Sequence, residues 1–335
     1  MLEPLTAHVD YITDPERSPD PIRFLLDALA QPGSLPLIGA GMVMVLAAVL
    51  AWARWRPMEE PRARFIERAR TYREYLPWIV RLSVGLVLIG AGLSRVRFMP
   101  TIPSGELFAL LLTATGFLLL LGLAVRPAAL VALGAYAVTL ISHPSLVMML
   151  DVAGGLAVAA ILGPGRPSLD DLLRAAYPRG PGARVATENL ARGRYDDIVP
   201  LMVRLGLGGA FVASGIVDKL LIYEQDFAVV DRYHLTSIVP VSPELWVIGA
   251  SLIETTLGMA ILLGVLTRFS AVIGFTVLTL ALLALPGDPV IAHVGLFGLS
   301  SMLVILGGGR WSLDRAILAP IGERIRARSA DRPGA

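Results

Sequence analysis

Residues 107–125 read LFALLLTATGFLLLLGLAV and contain no charged side chain. A membrane-spanning helix needs about 20 mostly apolar residues, because the bilayer hydrocarbon is roughly 30 Å thick and a helix rises about 1.5 Å per residue. The stretch 35–53 is also uncharged, and 268–285 carries only Arg268. None of these stretches shows the period-two alternation of a membrane barrel strand. The sequence therefore predicts an integral membrane protein built from helices.

The composition supports this class of protein. Hydrophobic residues make up 55% of the 335 positions and charged residues only 17%, with a mean hydropathy of +0.68. We therefore expect the lipid bilayer as a partner and no nucleic acid, because the net charge is only +2 and the arginines gather at helix ends. The chain has no cysteine, which excludes disulfides and thiolate-ligated metal or iron–sulfur centres from this chain alone. The first 34 residues do not have the pattern of a cleaved signal peptide.

Apolar runs between turn signals predict about nine transmembrane helices in an all-α, polytopic membrane helix bundle. The predicted spans are 35–54, 77–96, 107–125, 128–142, 146–163, 198–217, 244–265, 268–285 and 289–307. Arginine clusters follow the first, fifth and ninth spans, and basic residues resist translocation. We therefore expect a multi-pass protein of the inner (plasma) membrane with an external N-terminus and a cytoplasmic C-terminus.

Two halves of the chain resemble each other. The segment WIVRLSVGLVLIGAGL (78–93) aligns without gaps on LMVRLGLGGAFVASGI (201–216), which places Arg81 on Arg204. Further matches join 116–130 to 258–272, and LGPGRPSLD (162–170) to LGGGRWSLD (306–314). These matches predict a parallel duplication of a four-helix unit, with one additional helix before it.

The predicted organisation has six parts, as follows: a polar external N-terminus at 1–34, an extra transmembrane helix and cytoplasmic interfacial helix at 35–75, a first repeat at 76–175, a cytoplasmic linker at 176–197, a second repeat at 198–320 and a basic cytoplasmic tail at 321–335. A second interfacial helix is predicted at 312–327, where apolar and arginine positions alternate at helical spacing.

Ionisable residues at bilayer depth are the candidates for chemistry. Glu254 lies near the middle of its span, and we predict an intramembrane ion pair between Glu254 and Arg204. This pair has two readings, either structural contact between helices or a carboxylate that relays protons or contacts a quinone. Arg81 has no equivalent glutamate, so it either extends to the headgroups or contacts a ligand. Lys219, next to Asp218, is expected to anchor its helix at the interface rather than form a Schiff base.

Other polar residues have structural interpretations beside functional ones. Asp151 is expected to pair with Arg95 or Arg97 at the external surface. His143 and His293 could share a metal or haem, but no metal site is predicted. The segment 223–235, which contains His234, is either a solvated loop or a docking loop for a periplasmic partner. Ser168 and Ser312 are expected to cap helices, with Asp170 and Asp314 at the positive end of the helix dipole.

The pattern of the second half resembles the DoxX family of small bacterial membrane proteins and the related DoxD subunit of thiosulfate:quinone oxidoreductase. The residues that carry the resemblance are Arg204, Leu205, Gly215, Lys219, Glu254, Gly258, Gly264, Arg268 and the run Gly309-Arg310-Trp311-Ser312-Leu313-Asp314. The first half keeps Arg81 but has Leu112 and Val96 where Glu254 and Lys219 align. The resemblance implies two DoxX-like four-helix repeats and an association with redox membrane complexes and quinones.

Three functions remain open on the sequence alone. The first is a membrane subunit of a redox or respiratory system that works with a separate redox partner on the external side; it has no intrinsic cofactor, and quinone is its possible ligand. Its candidate catalytic residues are Glu254 and Arg204, and its candidate quinone contacts are Arg81, Arg204, Glu254 and Lys219. The second is a small-solute or ion transporter with Glu254 and Arg204 in the pathway. The third is a non-catalytic assembly or anchor protein.

Overall fold

The protein is described from a computed structural model. The structure describes residues 20–31, isolated positions between 34 and 47, and residues 59–93, 105–177, 195, 197–285 and 290–318. Within these ranges all the regular structure is helical. The prediction of an all-α helix bundle is therefore confirmed.

The α-helices of the described chain, in order, are α1 Pro21–Ala30, α2 Glu59–Thr71, α3 Leu76–Leu93, α4 Glu106–Leu121, α5 Val125–Ser142, α6 Leu150–Leu162, α7 Leu169–Ala176, α8 Ile198–Ala213, α9 Tyr223–Arg232, α10 Leu235–Ile238, α11 Pro243–Leu263, α12 Thr267–Ala284 and α13 Val290–Leu306. Short 3-10 segments at Tyr72–Tyr75 and Pro144–Met149 lead into α3 and α6, and a π-helical segment, Ser214–Leu221, extends α8.

Six continuous helical segments are long and apolar enough to cross a membrane: Ala63–Leu93, Val125–Ser142, Pro144–Leu162, Ile198–Leu221, Pro243–Leu263 and Thr267–Ala284. Two further apolar helices, α4 and α13, are shorter than the others. Together they coincide with eight of the predicted spans. The predicted first span at 35–54 falls largely outside the described residues, so the count of nine stays a prediction.

The first interfacial helix differs from the prediction. Helix α2 carries the arginines expected at the headgroups, but it continues through the 3-10 turn Tyr72–Tyr75 directly into α3. No turn residue separates the two, so the chain enters the membrane as one long helical segment, Ala63–Leu93. Of the second predicted interfacial helix, at 312–327, the structure describes only the first part, which includes the π-helical turn Asp314–Leu318.

Glycines let the first two helices of each half approach closely. A Cβ on Gly258 of α11 would lie 2.7 Å from the carbonyl oxygen of Gly208 on α8. Gly116 on α4 and Gly85 on α3 make the same contact in the first half. Without a hydrophobic driving force between helices in lipid, close backbone packing of this kind contributes much of the association energy.

The two halves meet through their first and last helices. Gly206 on α8 crosses Gly154 on α6 so closely that a Cβ on Gly206 would lie 2.8 Å from the Cα of Gly154. At the aligned position of the other half, Gly298 on α13 is in contact with the side chain of Ser83 on α3. Helices α3, α6, α8 and α13 therefore form the centre, and the outer faces of α4, α5, α11 and α12 are left for lipid.

A buried arginine closes one end of each half. The Arg204 guanidinium is 2% exposed and donates to the carbonyl oxygens of Ile261, Gly308 and Trp311 at 2.9–3.0 Å, and to that of Leu262. These acceptors lie at the C-terminal end of α11 and in the loop after α13. Four donated bonds satisfy carbonyls that the helix end would otherwise leave free.

Arg81 makes the matching set of bonds in the first half. It donates to the carbonyl oxygens of Leu119, Leu120, Pro164 and Pro167, which are the aligned positions. Arg81 is 2% exposed, so the prediction that it extends to the lipid headgroups is wrong. The backbone carbonyls at the helix ends offer its guanidinium a complete set of acceptors inside the protein.

The Gly-Arg-x-Ser-Leu-Asp run at the end of each half bonds to the helices at the same end as the buried arginine. The Asp314 carboxylate accepts from the backbone N–H groups of Leu266 and Thr267 at 2.6 and 2.8 Å, which caps α12. Asp170 accepts from the N–H of Ala124 before α5. The expected capping of α7 by Ser168 is confirmed by its bond from the N–H of Asp171. Both aspartates lie in the first turn of their own helical segments, as predicted, and in addition cap the preceding helical hairpin.

The Ser168 hydroxyl also donates to the carbonyl oxygen of Gly165 at 2.8 Å, and Ser312 makes the same loop contact. Its hydroxyl donates to the carbonyl oxygen of Gly309 at 2.8 Å, which tightens the loop that also supplies acceptors to Arg204. The residue therefore supports the turn around the guanidinium, in addition to opening the last described helical turn.

We predict that Arg204→Lys lowers the thermal unfolding midpoint of the purified protein by roughly 5 °C or more, because a lysine cannot reach the spread of carbonyls and each lost bond to a charged donor costs about 1.5–3 kcal/mol. The matched control is Arg310→Lys, the same change at an exposed position in the same closing run. Equal midpoints for the two variants in mild detergent would contradict this assignment.

We also predict that Gly258→Ala destabilises the bundle by about 1–3 kcal/mol, because its Cβ would meet backbone atoms of α8. Gly249→Ala, on the same helix, has nothing within 4 Å of the new Cβ and should be neutral or slightly stabilising. Thermal unfolding of both variants followed by circular dichroism measures the difference. A neutral Gly258→Ala would show that the two helices do not pack as described.

Candidate functional site

The π-helical segment Ser214–Leu221 brings two consecutive charged residues into the bundle. Adjacent side chains of a regular α-helix point about 100° apart, so both are rarely buried on one side. In this wider turn Asp218 is 3% exposed and Lys219 is 8% exposed. π-Helical turns within α-helices are frequent at functional sites.

Lys219 forms the centre of a buried charged cluster. Its Nζ lies 3.2 Å from Asp218 Oδ2 and 3.2 Å from Glu254 Oε2. A third contact, at 3.5 Å, joins Nζ to the hydroxyl of Ser214. The ion pairs connect the end of α8 to the middle of α11.

A third carboxylate reaches the cluster from outside the membrane-spanning helices. Asp226 lies on α9, is 8% exposed, and interacts electrostatically with Lys219, Asp218 and Glu254. Its Oδ2 atom is buried and accepts no hydrogen bond from the residues that the structure describes. Burial raises the pKa of Asp226 well above its usual range, Lys219 lowers it, and the other two carboxylates raise it.

The charge of this acid–lysine cluster is unbalanced. Three carboxylates, on Asp218, Asp226 and Glu254, face the single ammonium of Lys219. Full ionisation would leave two uncompensated negative charges in a buried site, which is costly in a medium of low dielectric constant. The raised pKa of Asp226 therefore favours its protonated form, and gaining or losing that proton changes the charge of the site.

The predicted ion pair between Glu254 and Arg204 is wrong. Arg204 is bound to carbonyls at the end of α11, and its acceptor Ile261 lies seven residues beyond Glu254, about 10 Å along the helix. Lys219 reaches the glutamate instead. The expectation that Lys219 anchors its helix at the interface is corrected for the same reason, since its ammonium points into the bundle.

Helices α1 and α9 form a cap that holds Asp226 in place. Phe24 of α1 stacks on Tyr223 of α9 with ring centroids 4.0 Å apart, and Phe227 packs edge-on against both rings. The side chain of Gln31 bonds to Ser242 and Glu244 at the start of α11. The cap is thus attached to α11, which carries Glu254, and its own helix α9 carries Asp226.

The segment 223–235 is not the solvated loop of the first interpretation. It forms α9 and the start of α10, with buried Val229 and Val230 facing the bundle and Glu224 exposed. His234 lies in the turn between the two helices with φ of +51° and is exposed. Sequence reasoning missed Asp226 as a site residue. Its spacing from Val229 and Val230 on one helix face was the available signal.

The first half lacks the charged cluster. Leu112, which aligns with Glu254, lines an apolar cavity of about 70 Å³ between α3, α4, α5 and α6. Val96, which aligns with Lys219, lies outside the described residues. The two halves therefore have the same arginine-closed end but differ in the middle of the membrane.

The remaining candidates lie elsewhere. Asp151 is 3% exposed at the centre of the molecule, where its Oδ2 occupies the space that a Cβ on Gly295 would need; its proposed partners Arg95 and Arg97 fall outside the described residues.

His293 is buried on α13, and His143 is half-buried after α5. Within the described part of the chain, no three His, Cys, Asp or Glu side chains are grouped to hold a metal ion.

Among known protein families, a match was found for the half of the chain that carries the acid–lysine cluster. Residues 199–287 match the model of the DoxX family. Neither the curated proteins nor the solved structures gave a match to the chain. The matched segment spans α8 to α12 and includes Lys219, Asp226 and Glu254. The chain is therefore an integral membrane protein with a DoxX domain at residues 199–287.

Proposed function

We propose that this protein is a membrane subunit of a redox system, in which the acid–lysine cluster binds a quinone headgroup and exchanges its protons while a partner protein carries the electrons. The observation that carries the proposal is the ion pair of Lys219 with Glu254, surrounded by two further buried carboxylates. Buried titratable groups of this kind inside a membrane domain are typical of proton-handling sites.

The partial exposure of Glu254 supports the binding of a small ligand at the cluster. Glu254 shares the inward face of α11 with buried Ser251 and Ile261, yet 21% of its side chain is exposed. This exposed part is what a small ligand would contact. Thr255, the next residue, has a buried hydroxyl without a partner among the described residues.

The residues of the acid–lysine cluster have the hydrogen-bonding and proton-accepting groups that a quinone headgroup requires. A bound quinol would supply two electrons to the partner and two protons to the site. The Lys219 ammonium would donate a hydrogen bond to a ring oxygen in place of its longest contact, the one to Ser214 at 3.5 Å, and the Glu254 carboxylate would accept a proton. Asp226 then provides a second acceptor at the cap, between the membrane interior and solvent.

A separate electron carrier follows from the composition. The chain has no cysteine, so it cannot supply thiolate ligands to an iron–sulfur cluster. We place the redox partner at the cap, because Asp226 links this surface to the buried cluster and because α9 exposes Glu224 and Asp231 there. The sequence analysis predicts this face to be external.

The closed arginine end favours a subunit over a transporter. In the DoxX domain, Arg204 joins the end of α11 to the loop after α13 through four backbone bonds. Opening a path through this end would break bonds that are expensive to lose in a membrane. The site is therefore best suited to exchange protons with one side only.

We further infer that the first half is a second copy of the DoxX-like unit. The support is the matched bonding of Arg81 and Arg204, together with the matched caps from Asp170 and Asp314. The loss of the glutamate at Leu112 indicates that only the second copy carries the proton-exchanging site.

A binding experiment tests the quinone site. Protein in lipid nanodiscs is titrated with short-chain ubiquinone and menaquinone analogues, and we expect saturable binding of at least one. Glu254→Gln and Lys219→Met should each weaken it tenfold or more, because each removes one charge of the ion pair. Glu106→Gln, the same change at an exposed position of α4 and outside the cluster and its cap, should bind like the wild type.

The same preparation distinguishes the alternatives. Absence of saturable binding to both analogues, or equal binding by Glu254→Gln and the wild type, would contradict the proposal. Solute flux through proteoliposomes that depends on Glu254 would favour the transporter instead. Should Lys219→Met fail to fold, Glu254→Gln alone carries the test, because it removes one carboxylate and keeps the ammonium that pairs with Asp218.

The pH dependence of stability reports on Asp226. Its pKa is raised in the folded protein, so ionising it opposes folding. Stability should be greatest below the unfolded pKa of about 3.9 and should fall as the pH rises through the higher folded value. We predict that Asp226→Asn flattens this fall in the thermal midpoint above about pH 4.

The control for this measurement is Asp231→Asn, the same change at an exposed position of α9. It should keep the wild-type pH profile. A wild-type profile in Asp226→Asn would show that Asp226 does not titrate inside the cluster.

A further inference from the structure

The cavity of the first half has no role in the site described above. It has a volume of about 70 Å³, and its lining is almost wholly apolar. The aligned region of the second half contains Glu254, whereas here Leu112 contributes a side chain without polar atoms. A cavity of this volume exceeds the share of a single water molecule, which is about 30 Å³, and apolar cavities stay dry.

The polar groups that reach the cavity are already bonded to the protein. The Tyr136 hydroxyl donates to the carbonyl oxygen of Leu146 at 2.7 Å, and the Thr139 hydroxyl donates to that of Ala135 at 2.8 Å. Neither hydroxyl proton remains for a ligand. An occupant therefore gains only apolar contact, and a headgroup or a charged solute would lose its hydration without compensation.

The cavity opens toward the bilayer. Its lining residues on α3 and α6 are all buried, with Val87 and Leu156 at most 1% exposed. Those on α4 and α5, such as Leu112 and Tyr136, are only half-buried. The open side therefore lies between α4 and α5.

The outer faces of these two helices are apolar. Leu110 of α4 is 64% exposed, and Val138 of α5 is 68% exposed. A surface of this kind inside a membrane is surrounded by hydrocarbon chains, so the bilayer supplies what can enter between α4 and α5.

We propose that this cavity binds the end of a hydrocarbon chain that enters from the bilayer between α4 and α5. The chain comes from a lipid or from the isoprenoid tail of a quinone; both offer the same apolar chemistry. The small side chains of Ala132 and Ala135 provide the space. The inference is independent of the proposed function, because it uses no residue of the acid–lysine cluster.

Photocrosslinking tests the proposal. The full-length protein is reconstituted with a phospholipid that carries a diazirine near its acyl terminus, or with an isoprenoid diazirine probe, and crosslinked residues are identified by mass spectrometry. We expect crosslinks to cavity-lining residues such as Leu112 and Tyr136 from one of the two probes. The probe that labels them identifies the source of the chain.

A volume-matched pair of variants completes the test. Ala132→Leu adds three carbons inside the cavity and should reduce crosslinking to its lining fivefold or more. Ala137→Leu makes the same change on the exposed side of α5 and should leave it unchanged. Ala132→Val serves if the larger side chain prevents folding. Crosslinks confined to lipid-facing positions such as Val138, or equal labelling of both variants, would overturn the proposal.

Discussion

The buried guanidinium of Arg204 is the interaction on which the second half depends. Its bonds join the last turn of α11 to the loop after α13, and its own helix is α8. Three helices are therefore held at one end by a single side chain, with no water available to replace the bonds. This end sets the register of α8 against α11. Further along both helices, that register brings Lys219 to Glu254.

The bonding of Arg204 to backbone carbonyls also determines which cation pairs with Glu254. A guanidinium engaged by backbone carbonyls cannot also contact a carboxylate 10 Å away, so Arg204 has a structural role and Lys219 is the cation that pairs with Glu254. The π-helical turn at the end of α8 allows Lys219 and Asp218 to enter the bundle together. The cap then adds Asp226, whose position rests on the aromatic stack between α1 and α9. Structural and chemical roles are thus assigned to opposite ends of the same helix.

The two halves share the same closing contacts but differ in the residues near the bilayer centre. Each is closed by an arginine, a capping aspartate and a pair of facing glycines. In the middle of the membrane, one holds charged groups and the other an apolar cavity. The arginine and aspartate side chains bond to backbone atoms at one end of each half, so these contacts do not involve the side chains near the bilayer centre. Glu254 and Leu112 stand at aligned positions there and differ.

The sequence by itself determined the membrane class, the positions of most helices and the DoxX resemblance, because apolar runs of bilayer length and the recurring Arg-Leu and Gly-Arg-x-Ser-Leu-Asp patterns are local signals. It also identified Glu254 and Lys219 as candidates, since charges at bilayer depth are rare. It paired them incorrectly, because a side chain's partner depends on the relative height and rotation of different helices. Only the tertiary structure decided that Arg204 binds carbonyls, that the π-helical turn rotates Lys219 inward, and that a helix outside the membrane folds back to bring Asp226 to the cluster. Those contacts join residues far apart in the chain, so no local pattern encodes them.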